Sequence, residues 1–186
     1  MKPLVINSFQ GPFRWLSNFW ECTVFFGETQ FNSVENAYVA AKLPEELAHL
    51  RLLVAKLSPG KAKRYGRGEI NLTDSDDCPY GRISMREDWN DELRLSVMRV
   101  LIYQKFHPAM NPELCYRLLQ TKEAQLIEGN NWHDEFFGVD QKKGGQNHLG
   151  RIIMEQRKEL QLDQKRMSSF EMLGLTSNAA HKMRIR

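Results

Sequence analysis

The sequence predicts an α+β fold: a single compact domain in which helices dominate and the few short strands are antiparallel. Two observations lead to this prediction. Apolar residues recur at helical spacing in several separate segments, whereas strand-forming runs are short and bounded by turn-forming residues. The chain has 186 residues, 41% of them hydrophobic, which suits one domain with a substantial buried core.

A hairpin and a helix are predicted near the N-terminus. Strand-forming residues at 22–26 and 29–31 flank a Gly-Glu pair, which is typical of a tight turn. Ser33 follows directly, and its hydroxyl can accept a hydrogen bond from the free amides of a first helical turn. The alanines within 34–42 favour helix. The hairpin should therefore lead straight into a helix that begins after Ser33.

A second helix is predicted to start at Pro44. Proline and the two acids that follow it suit a first helical turn, and apolar residues continue the helical spacing to Leu57. The helix should end at Ser58, because a residue that precedes proline is disfavoured in helical space. The basic, glycine-punctuated segment 61–68 and the turn-rich segment 71–81 are predicted to be loops.

Helices also dominate the prediction for the second half of the chain. Apolar spacing indicates a long core helix over 91–106, a helix over 112–119 that starts at an Asn-Pro-Glu sequence, and a final helix over 149–160. Residues 124–128 are predicted to form a short strand, and 129–145 an irregular loop rich in aromatic side chains.

Composition excludes several classes of protein. The three cysteines are widely spaced and outside any Cys-x-x-Cys pattern, so neither a disulfide framework nor a cysteine zinc site is expected. No apolar run approaches the length needed to cross a bilayer, and the N-terminus lacks the apolar segment of a signal peptide. We therefore expect a cytoplasmic protein without a membrane partner.

The net charge of +3 is concentrated at the C-terminus. Residues 163–186 contain five lysines and arginines against two acidic residues, so residues 1–162 are formally neutral. We divide the chain accordingly into a domain of residues 1–162 and a basic C-terminal extension of residues 163–186. The extension is either a solvated, flexible terminus or a surface that contacts nucleic acid.

The helix after Ser33 carries an unusual pair of charged residues. Glu35 and Lys42 are two turns apart and lie on nearly the same face, among apolar neighbours. An ionisable group in such surroundings is costly unless it is paired or used. Two interpretations follow: a buried ion pair, or a catalytic centre in which desolvation lowers the pKa of the Lys42 amine and makes it nucleophilic.

The loop before the last helix concentrates polar and aromatic residues. Its glycines lead into the helix N-terminus, where backbone amides are available to an anion or a sugar oxygen, although chain reversal also explains them. His133, Asp134 and His148 could supply metal ligands, but their spacing lacks the His-Glu-x-x-His geometry. No metal site is predicted.

Two further features have both a functional and an ordinary explanation. Trp89 precedes the long core helix among charged residues, where it could staple that helix or stack on a flat ring. Lys63, Arg64 and Arg67 could recognise phosphate or simply form a solvated face.

Five blocks of sequence, taken in order, resemble the NADAR family, which includes the YbiA-like N-glycosidases of riboflavin-biosynthesis intermediates. They are Trp-Leu-Ser-Asn-Phe at 15–19, the Ser-x-Glu to Ala-x-Lys helix at 33–42, the Ser-Pro-x-x-Ala-Lys-x-x-Gly-Arg segment at 58–67, Arg-x-Asp-Trp at 86–89, and the glycine-rich block at 134–150. Five ordered blocks make a chance match implausible. The resemblance implies the α+β fold of that family.

The resemblance also implies an activity. Members cleave the bond between an anomeric carbon and a nitrogen, in ribosylamino-pyrimidine phosphates or in ADP-ribose attached to guanine. Breaking this bond builds positive charge on the ribose, so a buried carboxylate lowers the barrier, and an acid must protonate the departing nitrogen. Glu35 is expected to be that carboxylate, and Lys42 is expected to form a Schiff base with the opened sugar.

The resemblance further implies roles for residues around this centre. Asp134 is expected to position water or a ribose hydroxyl. The expected substrate-binding residues are Trp89 and Trp132 on the base, Asn18, Asn147 and the amide of Gly150 on sugar or phosphate oxygens, and Lys63 and Arg67 on the phosphate. Gly138 is also expected to bind substrate. No metal and no cofactor is implied.

Three functions remain open from the sequence. The first is an N-glycosidase acting on a small phosphorylated ribosylamine. The second is an ADP-ribosyl hydrolase that removes ADP-ribose from guanine in nucleic acid, which the basic extension could contact. The third is a module that binds ADP-ribose or NAD without turnover.

Overall fold

The computed structural model describes residues 4–72 and 82–172, and within these ranges helices predominate over short strands. The helices are α1 (Val34–Ala40), α2 (Arg51–Lys56), α3 (Pro59–Gly66), α4 (Asp91–Lys105), α5 (Pro112–Gln120) and α6 (His148–Met172), with 3₁₀ helices at Gly11–Leu16 and Glu45–Leu50. The strands are β1 (Val5–Ile6), β2 (Glu21–Phe26), β3 (Thr29–Ser33), β4 (Gln125–Leu126), β5 (Gly129–Asn130) and β6 (Val139–Asp140). The predicted α+β class with a helical majority is confirmed.

The predicted hairpin and the helix after it are confirmed. Strands β2 and β3 are antiparallel, with Val24 opposite Phe31, and both of these side chains are fully buried. Ser33 ends β3 and caps α1, since its hydroxyl accepts from the main-chain N–H of Asn36 at 3.1 Å. The hairpin therefore sets the start of α1 through a contact that is local in sequence.

The strands outside the hairpin pair in parallel, so the antiparallel prediction is wrong for them. Val5 of β1 lies opposite Gln125 of β4, and Gly129 of β5 lies opposite Val139 of β6. Each of these strands is two residues long. Strands this short give little periodic signal in the sequence, and the partners of the first pair are 120 residues apart.

Two predicted elements near the middle of the chain need correction. The helix predicted from Pro44 to Leu57 is interrupted, because Leu47 has non-helical backbone angles and the 3₁₀ helix gives way to α2. The predicted loop 61–68 is mostly helical, since α3 ends at Gly66. The missed signal was Ser58, whose hydroxyl accepts from an amide of the first turn of α3, with proline following at the first helical position. The predicted loop 71–81 lies outside the described residues except at its first two positions.

The core is built around α1, which packs against α2, α3 and α4. Five of its seven residues are apolar and buried, as the sequence predicted for this segment. Helix α4 also packs on α6 and on β2. Lys105 of α4 is fully buried and its Nζ donates to the carbonyls of Leu16 at 2.9 Å and Ser17 at 2.7 Å, which holds the segment before Asn18 in place.

Helix α6 is longer than the predicted 149–160 and continues through Met172. It therefore crosses the predicted boundary between residues 162 and 163. Arg157 fastens it to the body by donating to Thr121 Oγ1 at 2.7 Å and to the carbonyl of Ala124 at 2.8 Å. Residues 173–186 of the extension lie outside the described residues. Among the helices in the described ranges, none has the length and hydrophobicity needed to span a membrane.

Asn36 links α1 to the end of α2, and its loss is expected to destabilise the fold. Its buried Nδ2 donates to the carbonyls of Val54 and Leu57, each at 2.8 Å. Replacement by alanine leaves two carbonyl groups without this donor, so Asn36→Ala is expected to lower the free energy of unfolding by at least about 2 kcal/mol. Urea unfolding measures the change. Asn32→Ala, at an exposed position of β3, is the control and should cost no more than about 0.5 kcal/mol; equal losses would contradict the assignment.

Candidate active site

A cavity of about 1190 Å³ lies between α1, α3, the start of α4 and the loop that precedes α6. Eight of the residues predicted for the site line it: Asn18, Glu35, Lys42, Lys63, Arg67, Trp89, Trp132 and Asp134. The other three, Gly138, Asn147 and Gly150, are not among its lining residues. The fold thus brings the separate sequence blocks to one place.

Glu35 presents a desolvated carboxyl group to this cavity. It lies in the first turn of α1, where its main-chain N–H donates to the carbonyl of Asn18 at 3.0 Å. Within the described ranges, no side chain forms a hydrogen bond or ion pair with the Glu35 carboxylate. Burial raises the pKa of Glu35, while the nearby charges of Lys63, Lys42 and Arg67 oppose that increase. The group is available to a bound molecule.

Lys42 presents a desolvated amine to the same cavity. Its Nζ donates to the carbonyl of Gly66 at 3.0 Å and lies 5.5 Å from the centre of the Tyr38 ring. Burial lowers the pKa of Lys42, and the charge of Glu35 opposes that decrease. The two groups form no ion pair within 4.0 Å. The buried ion pair is therefore not the explanation of this pair of residues.

Gly66 leaves the room that the Lys42 amine needs. A Cβ atom at Gly66 would lie 2.8 Å from Cγ2 of the buried Val39 and 3.3 Å from Nζ of Lys42. We expect Gly66→Ala to lower stability by about 1 to 3 kcal/mol through overpacking. We also expect it to slow turnover by on the order of 10²-fold, because the amine moves from its position. Thermal unfolding and steady-state kinetics measure the two effects.

Gly60→Ala is the matched control for the stability part of this prediction. Gly60 is also in α3, but a Cβ atom there meets nothing within 4 Å. Alanine is the better helix former, so the control should be neutral or slightly stabilising. A Gly66 variant as stable and as active as the parent would show that the Lys42 position does not depend on this close approach.

Aromatic rings and one arginine form another wall of the cavity. Tyr38 contacts Trp89 and Phe137 edge-on, with ring centroids 5.4 and 5.5 Å apart. The Arg94 guanidinium lies 3.9 Å from the centre of the Phe136 ring and donates to the Tyr38 hydroxyl at 3.4 Å. Burial raises the pKa of Tyr38 to about 12, so it is a neutral phenol at pH 7. Trp89 packs on this wall and also lines the cavity.

Basic residues of α3 line a third side. Lys63 and Arg67 are four residues apart and so lie on one face. The Lys63 amine is 5.4 Å from the centre of the Phe19 ring and 5.3 Å from that of Trp132. Arg67 is 3.6 Å from a carboxylate oxygen of Glu69 at the exposed end of the helix. Positive charge and flat rings therefore meet at this side of the cavity.

Asp134 lines the cavity while its carboxylate also organises the loop. Its Oδ1 accepts from the main-chain N–H groups of Phe136 at 3.2 Å and Phe137 at 3.0 Å. Asn130 holds the same turn by donating from Nδ2 to the Asp134 carbonyl at 2.8 Å. The second carboxylate oxygen has no such partner among the described residues.

Gly138, Asn147 and Gly150 pack the loop against the body and do not line the cavity. Asn147 accepts from the main-chain N–H of Glu128 at 3.0 Å and donates to the carbonyl of Leu126 at 2.9 Å. A Cβ atom at Gly138 would lie 2.7 Å from the carbonyl oxygen of Glu128, and one at Gly150 would clash with that of Leu126. The structure therefore gives these three residues a packing role, and their predicted contacts with substrate stay a prediction.

Sequence reasoning missed Glu128 and Arg94, both of which line the cavity. Glu128 stood at the end of a predicted strand and Arg94 within a helical repeat, where a single charged residue usually faces solvent. Neither position belongs to a local motif. A search for charged residues next to the recognised blocks would have found Glu128, which lies six residues before Asp134.

His133, Asp134 and His148, which were considered as metal ligands, do not come together as a metal centre in the described structure. His133 pairs with Asp140 at 3.1 Å, and the His148 ring is hydrogen-bonded to Gln146 at 2.9 Å. In the part of the chain that the structure describes, no three histidine, cysteine or acidic residues are grouped to hold a metal ion.

These features define an α+β domain with a large cavity lined by basic, acidic and aromatic side chains. The chain belongs to the NADAR domain family, whose model matches residues 7–161. The family resemblance seen in the sequence is thus confirmed, over a region that ends one residue before the predicted domain boundary.

Individual relatives agree with this assignment. The chain is 32% identical over 146 residues to a riboflavin biosynthesis protein of Vibrio vulnificus, a match that covers 78% of this chain but only 35% of that protein. It is 28% identical over 151 residues to an N-glycosidase of Nostoc punctiforme, covering 80% and 86% of the two chains. The NMR structure of the E. coli protein YbiA has a TM-score of 0.66 at 26% identity, over 88% of this chain and 89% of that one.

Proposed function

We propose that this protein is an N-glycosidase that hydrolyses the bond between ribose C1 and nitrogen in ribosylamino-pyrimidine phosphates. One observation carries the proposal: Glu35 and Lys42 are both desolvated, both line one cavity and do not pair with each other. The names of the Nostoc and Vibrio relatives, an N-glycosidase and a riboflavin biosynthesis protein, fit this chemistry.

Glu35 would stabilise the positive charge that develops on the ribose as the C1–N bond breaks. A carboxylate in desolvated surroundings acts on such charge more strongly than one in water. Its oxygens have no partner among the described side chains, so a substrate need not displace one. The neighbouring cations Lys63, Lys42 and Arg67 favour its ionised form.

Lys42 would act as the nucleophile once the ribose ring has opened. Its neutral amine adds to C1, the bond from C1 to the departing nitrogen breaks with its electron pair on that nitrogen, and a protonated imine joins Lys42 to the sugar. Water then adds to C1, and the amine leaves to regenerate Lys42 and the free sugar phosphate. Burial supports this role because it lowers the pKa and raises the neutral fraction of the amine.

The remaining cavity residues would bind and orient the substrate. Lys63 and Arg67 supply positive charge for the phosphate, and Trp89 and Trp132 supply faces for the base. Asp134 has one carboxylate oxygen left for water or a ribose hydroxyl, since the other accepts two main-chain amides.

The size of the cavity favours a second candidate, an ADP-ribosyl hydrolase that releases ADP-ribose from guanine. About 1190 Å³ exceeds the 300 to 1,000 Å³ typical of small-molecule sites, and two tryptophans line it. A dinucleotide-sized substrate could contact both Trp89 and Trp132 and also the basic side formed by Lys63 and Arg67. If the modified base lies in DNA, removal of residues 173–186, which hold three lysines and arginines, should weaken activity in a salt-dependent way.

Separate incubations with the two substrates test these candidates. The protein is mixed with a ribosylamino-pyrimidine phosphate or with ADP-ribosylated guanosine, and the products are separated by chromatography. We expect release of sugar phosphate and free aminopyrimidine from the first substrate. Faster release of ADP-ribose from the second would favour the hydrolase, and tight binding without product would indicate a binding module. Neither binding nor product with either substrate would overturn both candidates.

A further inference from the structure

Glu128 lies in the cavity wall, and one of its carboxyl oxygens takes part in no hydrogen bond within the described chain. Its Oε2 atom is buried and has no hydrogen-bond partner in the described chain, while the residue lines the cavity. Its main chain is held on both sides: the N–H donates to Asn147 Oδ1 at 3.0 Å, and the carbonyl accepts from the Val139 N–H at 2.9 Å. A buried oxygen without a hydrogen-bond partner lowers the free energy of unfolding. Its position beside the cavity therefore indicates a functional role for Glu128.

The surroundings of Glu128 favour its neutral form more than those of an ordinary carboxyl group. Burial raises the pKa of Glu128 to about 7, the charge of Asp134 adds to this increase, and Lys105 and Lys63 oppose it. Among the described residues, the charged groups that act on the Glu128 carboxyl group are thus Asp134 of the loop, Lys105 of α4 and Lys63 of α3. A substantial fraction of Glu128 therefore carries a proton at neutral pH.

The other acids of the cavity are engaged elsewhere. Asp91 pairs with Arg94 at 2.6 Å, and Glu135 pairs with Lys143 at 3.6 Å. Asp134 uses one oxygen for two main-chain amides. Burial also raises the pKa of Glu35, but three nearby cations, Lys63, Lys42 and Arg67, oppose this increase and favour the charged form. Among the described acids that line the cavity, only Glu128 has a fully buried carboxyl oxygen without a hydrogen-bond partner, and both burial and the charge of Asp134 favour its protonated form.

We propose that Glu128 is the catalytic acid that protonates the departing nitrogen, an inference that rests on the proposed N-glycosidase function. As the C1–N bond breaks, its electron pair stays on nitrogen and the proton of the Glu128 carboxyl group moves to that nitrogen. Glu128 is left as a carboxylate near Lys105 and Lys63. The water that adds to C1 of the Lys42 imine then returns a proton to Glu128. Glu35 would thus stabilise positive charge and Glu128 would donate a proton, because the two carboxyl groups lie in different environments.

The pH dependence of turnover tests this role. Wild-type turnover of a ribosylamino-pyrimidine phosphate should fall as the pH rises above about 7, because Glu128 loses its proton there. Glu128→Gln cannot donate this proton, so its turnover should be lower by about 10² to 10⁴-fold and should lack the decrease near pH 7. A decrease caused by Lys105, whose pKa burial lowers to about 8, would persist in that variant.

Two further variants complete the test. Glu128→Asp keeps an acid on a shorter side chain, so it should be slower than wild type but retain the decrease at high pH. Glu123→Gln makes the same change at an exposed position outside the cavity and should leave both turnover and pH profile unchanged. If Glu128→Gln does not fold, the Asp variant decides the question by the presence or absence of the decrease.

Different results would contradict the role of Glu128 and the proposed N-glycosidase function. A wild-type protein that cleaves neither the pyrimidine substrate nor ADP-ribosylated guanosine would overturn the function itself. An active wild type whose Glu128→Gln variant has the same turnover and the same pH profile would overturn only the role of Glu128. A folded Gln variant that is slow but keeps the wild-type decrease would also overturn it, since that result indicates a structural role.

Discussion

Replacing Lys42 with alanine is expected to reduce turnover by at least about 10³-fold, because the variant has no amine to form the imine with the opened sugar. The structure places this amine in the cavity, with a pKa that burial lowers and with one hydrogen bond, to the Gly66 carbonyl. Reduction with borohydride during turnover should attach the sugar phosphate to the peptide that contains Lys42, as mass spectrometry would show.

The pH dependence of the imine step follows from the direction of the Lys42 pKa. Because the neutral amine is the nucleophile, trapping should increase as the pH rises through the pKa of Lys42. The onset should lie below that of an ordinary lysine, since burial lowers this pKa. Together with the decrease expected from Glu128, turnover should pass through a maximum.

Two variants test whether Lys42 acts as a nucleophile or only supplies positive charge. Lys42→Arg keeps a positive charge but offers no amine that can be deprotonated at these pH values, so it should be as inactive as Lys42→Ala. Lys61→Ala removes an exposed lysine of α3 that does not line the cavity, and it should keep both activity and trapping. Substantial turnover by the Arg variant, or trapping at a lysine other than Lys42, would contradict the imine mechanism.

Replacing Glu35 with glutamine is expected to lower kcat by on the order of 10² to 10⁴-fold with little change in KM. The positive charge that Glu35 stabilises develops on the ribose only in the transition state, so substrate binding should be affected much less than turnover. Initial rates over a range of substrate concentrations separate the two parameters. Isothermal calorimetry should confirm that the variant still binds substrate.

The same variant should shift the pH dependence of imine trapping. The charge of Glu35 raises the pKa of Lys42 and so opposes the effect of burial. With glutamine the amine should lose its proton at lower pH, and the onset of trapping should move in that direction. Glu28→Gln, at an exposed turn position, is the control and should change neither kcat nor the onset. An unaltered kcat in Glu35→Gln would exclude the electrostatic role.

Much of the fold could be predicted because its signals are local. Ser33 was recognised as the cap of α1, and the Gly-Glu turn of the hairpin was recognised from the residues on either side. Capping and turn formation depend on hydrogen bonds within a few residues. The prediction failed at α3, where one serine both follows a helix end and caps the next helix, and at the parallel strand pairs, in which each strand is only two residues long.

The candidate site was predicted to the extent that it is carried by recognisable blocks. Glu35 and Lys42 were found because two charges on an apolar helix face are unusual. Glu128 and Arg94 belong to no such block, and three residues of the glycine-rich block proved to pack the loop. Whether a residue in a motif faces a cavity or supports its wall depends on the tertiary contacts of that residue.

The sequence alone was enough to place α1, α4 and α5, to identify the buried face of α1 and to recognise the family. Periodicity, capping and ordered sequence blocks are properties of neighbouring residues. The three-dimensional fold decided which charged groups share the cavity and in which state each of them is held. Desolvation and the field of nearby charges shift the pKa values of Glu35, Lys42 and Glu128, and the groups responsible come from segments as far apart as α1, α3, α4 and the loop before α6. Such electrostatics depend on distance in space, which order along the chain does not contain.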